Sequence, residues 1–479
     1  MKSPNFLDFL YKKGKINFFA VFLVFILLFT PFALLLVFSP IVVFAIIMSI
    51  LIGIFVIRLE LGIYLLAFFA MFQGWEVNFS QYSWAESIPF ITELNAPLVD
   101  FLALFLLLSF LVAWSFKIIK LKGKKITEKF PGILWYGAFI LTSVVSIFFV
   151  YSNFFSLSIK YLLRPMVFIY LAFVFLPYQL IHRRKIVYRV LNIWVFLGFI
   201  ISLFGLSSLF VVSSVEWLRV VPYSFMGFAP LGVNHNVLAE PLVVIFPISL
   251  FLYLTSKSAL KKLILGCVSF LILTVALLTL SRAAWISLGV ELLVLAWFTK
   301  DLIIDFWNKK AFFFKTLATV VLGIVMVYMS LFMFQSSIVE SSTTARAEAT
   351  RVAFFYTFRS PWIGYGPGMF QYVLADTEIL VFEFGDPLDS HGFLQKVLLE
   401  EGFVGLFFFL GFLIWVLWTL WQRQHKLEFS KKRKMLYQVL LVSVLGIVVF
   451  ELFNTSYFNA VMWMPIGVAL ASTKRLRKD

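Results

Sequence analysis

Four arginines and one histidine in this 479-residue chain have surroundings that basic residues rarely keep without a task. Arg282 lies in Leu280-Ser281-Arg282-Ala283-Ala284-Trp285, with long apolar sequence on both sides. An arginine in such a setting is costly unless it snorkels to an interface or meets an anion, and both readings stay open. Arg346, Arg351 and Arg359 fall on 344–359, where Ala347, Val352, Phe355 and Phe358 share one side of an expected amphipathic helix that Pro361 and a glycine cluster end. Guanidinium forks match phosphate oxygens bidentately, whereas a solvated helix face beside Glu348 is the ordinary alternative. His391 stands in Asp386-Pro387-Leu388-Asp389-Ser390-His391-Gly392, just before the next apolar run. A neutral imidazole there can take a proton from an attacking hydroxyl, or be a loop residue with no chemical task. Together these residues suggest a site for a phosphorylated, lipid-borne substrate.

A second polar cluster, Asn234-His235-Asn236, opens the run Val237-Leu238-Ala239-Glu240-Pro241. Its amides could bind sugar hydroxyls or simply cap a helix, since Asn is a favoured N-cap. Glu240, Glu291 and Glu451 are carboxylates inside apolar runs, and Glu291 calls for a partner that the sequence does not name. Gly364-Tyr365-Gly366-Pro367-Gly368 has neither the preceding strand nor the following Lys-Ser or Lys-Thr pair of a nucleotide-binding loop, so a tight turn or small backbone nest is expected. Asp386, Asp389 and His391 could in principle ligate a hard divalent ion, but no metal site is expected.

The elements that must position these groups are membrane helices. Hydrophobic residues make up 62% of the chain and charged ones 13%, which excludes a soluble globule. Apolar runs near 17–38, 41–57, 61–75, 97–116, 132–152, 164–181, 187–213, 237–255, 263–281, 283–299, 311–335, 396–420, 436–454 and 457–472 predict an all-α polytopic bundle of about fourteen spans, or twelve to fourteen. The lysine-rich start is read as an anchor and not as a cleaved signal. The single cysteine, Cys267, excludes a disulfide framework. One integral domain, 1–479, is expected, with 336–392 as a partly helical extracytoplasmic loop capping the active site.

A net charge of +16 would point to nucleic acid in a soluble protein. Here 32 of the 40 basic residues fall in alternate loops and at the two tails, which the positive-inside rule explains and which sets both termini on the cytoplasmic side. Lys160, Arg164, Arg219, Arg282, Arg346, Arg351, Arg359 and Lys396 remain, all on the opposite side, and topology gives no reason for them. No nucleic-acid partner is expected.

Four blocks resemble the O-antigen ligase and O-antigen polymerase superfamily of bacterial envelope glycosyltransferases, over roughly 220–410. Asn234-His235-Asn236-Val237-Leu238-Ala239 resembles its Asn-x-Asn-His-x-Ala block, with Val237 in place of His. Ser281-Arg282 resembles its Ser-Arg pair, and Arg346-Ala347-Glu348 followed by Pro361-Trp362-Ile363-Gly364-Tyr365-Gly366-Pro367-Gly368 resembles its Arg-x-Glu helix and glycine turn. Ser390-His391 resembles its His-Asn block, with Gly392 where Asn is usual. The resemblance implies inverting, metal-independent transfer of a glycan from an undecaprenyl-pyrophosphate carrier to an acceptor hydroxyl, without a cofactor. It implies His391 as general base, with Arg346 and Arg282 on the pyrophosphate. Asn234, Asn236, Glu348, Arg351, Arg359, Gly364 and Gly366 are the expected substrate-binding residues. Ligase and polymerase differ in the acceptor, a lipid core or protein against another carrier-linked glycan. The implied location is the bacterial cytoplasmic (inner) membrane, multi-pass, with the site on the extracytoplasmic face.

A transporter or flippase for a lipid-linked or anionic substrate is the alternative. Transporters place ionisable residues near the midplane on broken helices. In this chain they crowd one face, which favours an enzyme.

Overall fold

The computed structural model describes residues 11–12, 15–16, 50–56, 58–72, 74–78, 95–115, 130–212, 218–224, 229–232, 234–300, 327–328, 331, 337–375, 390, 392–426, 429–454 and 458–474. The chain forms two compact units, 1–62 with 104–120, and 63–103 with 121–479. In the smaller unit a two-residue ladder pairs β1 (Tyr11–Lys12) with β2 (Lys15–Ile16), and Ser109 Oγ donates to the Ile52 carbonyl at 3.3 Å. The larger unit holds every candidate site residue. Among its described residues one short ladder pairs β3 (Glu76–Asn78) with β4 (Asn95–Pro97).

The remainder is helical: α1 (Leu59–Phe69), α2 (Leu98–Ser115), α3 (Ile133–Ile147), α4 (Ser152–Leu180), α5 (Arg184–Val211), α6 (His235–Thr255), α7 (Ala259–Leu278), α8 (Arg282–Phe298), α9 (Ser337–Thr357), α10 (Phe370–Ala375), α11 (Phe393–Gln424), α12 (Lys431–Glu451) and α13 (Ala460–Ser472). Among the described residues seven helices are long and apolar enough to cross a membrane: α2, α4, α5, α6, α7, α11 and α12. An eighth span results if Ile50–Val56 and α1 count as one, and α3 and α13 are shorter apolar helices. The chain is a multi-pass helical membrane protein. Its described helices follow the expected runs from 61 onward, but fewer of them reach spanning length than the fourteen expected. The runs at 17–38 and, but for three residues, 311–335 lie outside the described residues, as does the N-terminal anchor apart from 11–12 and 15–16.

Burial follows position in the bundle. α6 is the central helix, with Glu240, Pro241 and Pro247 all buried along it. Each proline removes a backbone donor, and in a bilayer neighbouring side chains must make good the disturbed ladder. Ser443 of α12 does so near Pro247, its Oγ donating to the Val244 carbonyl at 2.7 Å. α4 carries Pro165 and runs through π-type turns at Leu162–Phe168 and Tyr170–Phe175. The buried Tyr136 of α3 stacks on Tyr170 and donates its hydroxyl to the Met166 carbonyl at 2.9 Å within that irregular stretch. Glu291 of α8 is fully buried against α12, and neither carboxylate oxygen has a hydrogen-bond partner among the described residues. A Cβ on Gly446 would stand 1.9 Å from Glu291 Oε1, so the missing side chain is what makes room for the carboxylate.

Candidate active site

The site assembles at the corner between α7 and α8. The chain reverses there through Leu280, held at a left-handed φ of 53° that a branched aliphatic residue adopts only when its surroundings enforce it. Ser281 supplies part of that enforcement. Its Oγ caps α8 by accepting from the Ala284 amide at 3.3 Å, and donates to Asn236 Oδ1 at 2.7 Å. Asn236 is buried in the first turn of α6, and its amide donates to Asn234 Oδ1 at 2.9 Å, so Asn234 is the N-cap of that helix. Capping, the ordinary alternative for these amides, is what Asn234 does. Asn236 ties the start of α6 to the corner that carries Arg282.

Segment 218–224 lies on the same corner. The Val220 amide donates to the Leu278 carbonyl at 2.8 Å, and Arg219 Nε donates to the Thr279 carbonyl at 3.2 Å. Burial pulls the Arg219 guanidinium below its ordinary value.

The helix expected at 344–359 forms as the longer α9, which ends at Thr357 and leaves Arg359 beyond it. Of the expected apolar face only Val352 is buried, while Ala347, Phe355 and Phe358 are exposed. Ala349, Val352 and Ala353 pack in one core cluster with Met369, Phe370, Val373, Leu374 and Leu399. Thr350 Oγ1 donates to the Arg346 carbonyl at 2.6 Å and accepts from Gln395 Nε2 at 2.7 Å, which fastens α9 to the first turn of α11. Arg346 is thereby turned inward. Its Nε–H is buried and has no hydrogen-bond partner among the described residues. Burial first, and the positive charge of Arg282 second, pull its guanidinium below the ordinary arginine value. His235, at the head of α6, lies within electrostatic reach of Arg219, Arg346 and Arg282 together. Three guanidinium groups from three separate elements thus act electrostatically on one histidine. An anion relieves the mutual repulsion of such groups and satisfies their donors.

Arg351 and Arg359 do not join this cluster. Arg351 is exposed, about 140° around α9 from Arg346 at 100° per residue. Arg359 is exposed too, its guanidinium resting over the Phe355 and Tyr356 rings at 4.7 and 5.2 Å. Glu348 is half-buried on α9. Arg219 and His235 are the residues that motif reading left without a role. Arg219 was visible only as a basic residue that topology did not explain, and His235 only as the residue between two asparagines.

The glycine turn is a clamp. Gly364 (φ 75°) donates its amide to the Ser360 carbonyl, and a Cβ there would lie 2.4 Å from the Glu400 carbonyl. α11 is kinked at Gly402 (φ 67°), which frees backbone on both sides of the break. Tyr365 and Gly366 donate to Leu399 and Glu400 carbonyls at 3.1 and 2.8 Å, while Phe403 and Val404 donate to Pro361 and Trp362 at 2.7 and 3.3 Å. Glu400 Oε1 accepts from the Phe370 amide at 3.1 Å, and Ser146 Oγ bonds the Ile363 and Glu400 carbonyls at 2.8 and 3.1 Å. Both glycine amides that were expected to touch substrate are therefore bonded to backbone carbonyls, and they hold the turn on α11.

His391 lies outside the described residues, as do Asp386 and Asp389. Its neighbour Gly392 is buried, and a Cβ there would stand 2.2 Å from the Leu452 carbonyl. That contact gives a physical reason for glycine where Asn is usual: no side chain fits without moving the end of α12. Among the described residues no group of three His, Cys, Asp or Glu side chains is disposed to hold a metal.

Comparison with curated proteins finds no match. A family model does match, described as O-antigen ligase, over residues 267–410, beginning downstream of the Asn234–Ala239 block. That stretch contains Arg282, Arg346, the glycine turn and His391, and over it the chain is similar to the O-antigen ligase family.

Proposed function

We propose that this protein is a glycosyltransferase of the bacterial inner membrane, with both termini cytoplasmic and its site on the extracytoplasmic face. It moves a glycan from undecaprenyl pyrophosphate to an acceptor hydroxyl, as a ligase or a polymerase, and 336–392 caps the site within a single integral domain. The observation that carries this reading is the buried Arg346 Nε–H, which lacks a partner among the described residues and shares with Arg219 and Arg282 an electrostatic reach to His235.

The acceptor oxygen attacks the anomeric carbon opposite the carrier and gives its proton to His391. The bond between that carbon and the phosphate oxygen breaks, inverting the centre, and pyrophosphate leaves as an anion on Arg346 and Arg282. Pyrophosphate is a good leaving group, so one base plus fixed positive charge suffices, without a metal or cofactor. Asn234 and Asn236 support this charge by shaping the corner that Arg282 occupies. Gly364 and Gly366 support it by seating α9 and α11. Glu348, Arg351 and Arg359 are left for contacts farther along the glycan.

Purified protein given undecaprenyl-pyrophosphate glycan and candidate acceptors is expected to form product. His391→Ala and Arg346→Ala are each expected to abolish transfer while eluting and unfolding as the parent does. Parental turnover in purified His391→Ala would overturn the mechanism.

A further inference from the structure

Two buried polar atoms without hydrogen-bond partners among the described residues, Arg346 Nε and Gln395 Oε1, are linked through one threonine. They need opposite things, because the guanidinium N–H can only donate and the amide oxygen can only accept. Thr350 lies one helical turn beyond Arg346 on α9, and its Oγ1 donates to the Arg346 carbonyl at 2.6 Å, which commits the single hydroxyl proton. Towards Gln395, 2.7 Å away, the same oxygen can therefore only accept. The amide must present Nε2–H to Thr350 and turn Oε1 elsewhere, so the bond network fixes which way round it stands.

Gln395 is half-buried in the first turn of α11. Leu399, one turn further on, packs with Ala349 and Ala353 of α9, so Oε1 stands at the rim of an apolar contact, where an unmet acceptor is costly. An anion satisfies the arginine but cannot satisfy the amide oxygen, which needs an O–H or N–H. A ligand that meets both carries a negative group with a hydrogen-bond donor close by. Arg346 and Thr350 stand about 5–6 Å apart at their Cβ atoms on neighbouring turns, a span that one phosphorylated sugar bridges. In a glycosyl diphosphate the donor nearest the phosphate is the substituent on C2, beside the anomeric carbon, whether a hydroxyl or an acetamido N–H.

We infer that Gln395 Oε1 reads the first sugar of the donor, accepting a hydrogen bond from its C2 hydroxyl or acetamido N–H while Arg346 holds the diphosphate. This rests on the transfer reaction proposed above and adds to it the group on the sugar that the site selects. Gln395 is then a specificity-determining contact as well as the fastening between α9 and α11.

The full chain in detergent is titrated, with no acceptor or turnover required, with undecaprenyl pyrophosphate, undecaprenyl-pyrophosphoryl glucose and its 2-deoxyglucose counterpart. The parental protein should bind the glucose compound about fivefold more tightly than the 2-deoxy one, the scale of one neutral hydrogen bond. Gln395→Met should bind the two sugars alike. Gln395→Glu keeps an acceptor oxygen and should keep the preference; its loss there overturns the inference if Gln395→Met does not fold. A Gln395 that only braces α9 would shift all three ligands together, so an intact sugar preference in Gln395→Met overturns the inference. Equal binding of the two sugars by the parental protein does the same without any variant. Failure of the transfer reading would appear elsewhere, as parental affinity for bare undecaprenyl pyrophosphate in Arg346→Ala.

Discussion

Ser281 Oγ donates to Asn236 Oδ1 at 2.7 Å, a buried bond across 45 residues of sequence that fixes the corner bearing Arg282 to the helix that begins with His235. Removing one partner leaves the other buried and unsatisfied, at a cost of about 1–3 kcal/mol. Asn236→Ala and Ser281→Ala should therefore lower the thermal midpoint in detergent and cut transfer by more than the loss of folded protein explains. The double variant should be little worse than either single one, because the two substitutions remove the same bond.

Arg219 meets the site from a loop, where its Nε donates to the Thr279 carbonyl. Its charge acts on the cluster from the edge of the α7–α8 corner. Arg219→Gln should raise KM for the carrier-linked donor about tenfold, the scale of one charge-assisted contact, and change kcat less. Steady-state kinetics with donor varied at fixed acceptor will show the split; an unchanged KM removes Arg219 from the site.

Glu291 and Gly446 make a volume pair. Gly446→Ala should destabilise the bundle by about 1–3 kcal/mol, the usual range for overpacking a buried contact. In a Glu291→Ala background the same substitution should cost far less, since the atom it strikes is gone. Thermal unfolding of the four proteins of this cycle measures the coupling.

Lys474 follows the last helix and donates its ammonium to the Tyr178 carbonyl, with the Tyr178 ring centre 4.3 Å away. Burial lowers its pKa to about 8 from the ordinary 10.5. Between those values the unfolded lysine keeps a proton that the folded one has released, so stability should rise with pH across that window and be flat on either side. Lys474→Met should remove this slope, read as the thermal midpoint against pH.

Much of the architecture is written in local pattern. Apolar runs locate α2 to α8 and α11 to α13, and α9 is legible as a helix, though its buried face, Ala349, Val352 and Ala353, is not the expected one. Arg282 and Arg346 stand out because each sits in a recognisable block. What local pattern does not carry is the meeting of segments. Arg219 and His235 have no motif of their own; Arg219 enters because 218–224 bonds to the corner between α7 and α8, and His235 because the Ser281–Asn236 bond ties the head of α6 there. The spacing at Gly364 and Gly366 predicts a tight turn, and their amides bond to backbone carbonyls; which segment the turn holds is what local pattern does not carry. Glu291 asked for a polar partner, and the chain instead provides an empty space at Gly446.

The break at Gly402 has a mechanical consequence. Residues 393–401 take their register from the glycine turn, through the Leu399 and Glu400 carbonyls, while 403–424 run on as an ordinary membrane helix. A spanning helix tilts to fit the thickness of its bilayer. Here that tilt is absorbed at the joint, so the seat of Gln395 and Lys396 stays level as the lipid around the lower helix changes.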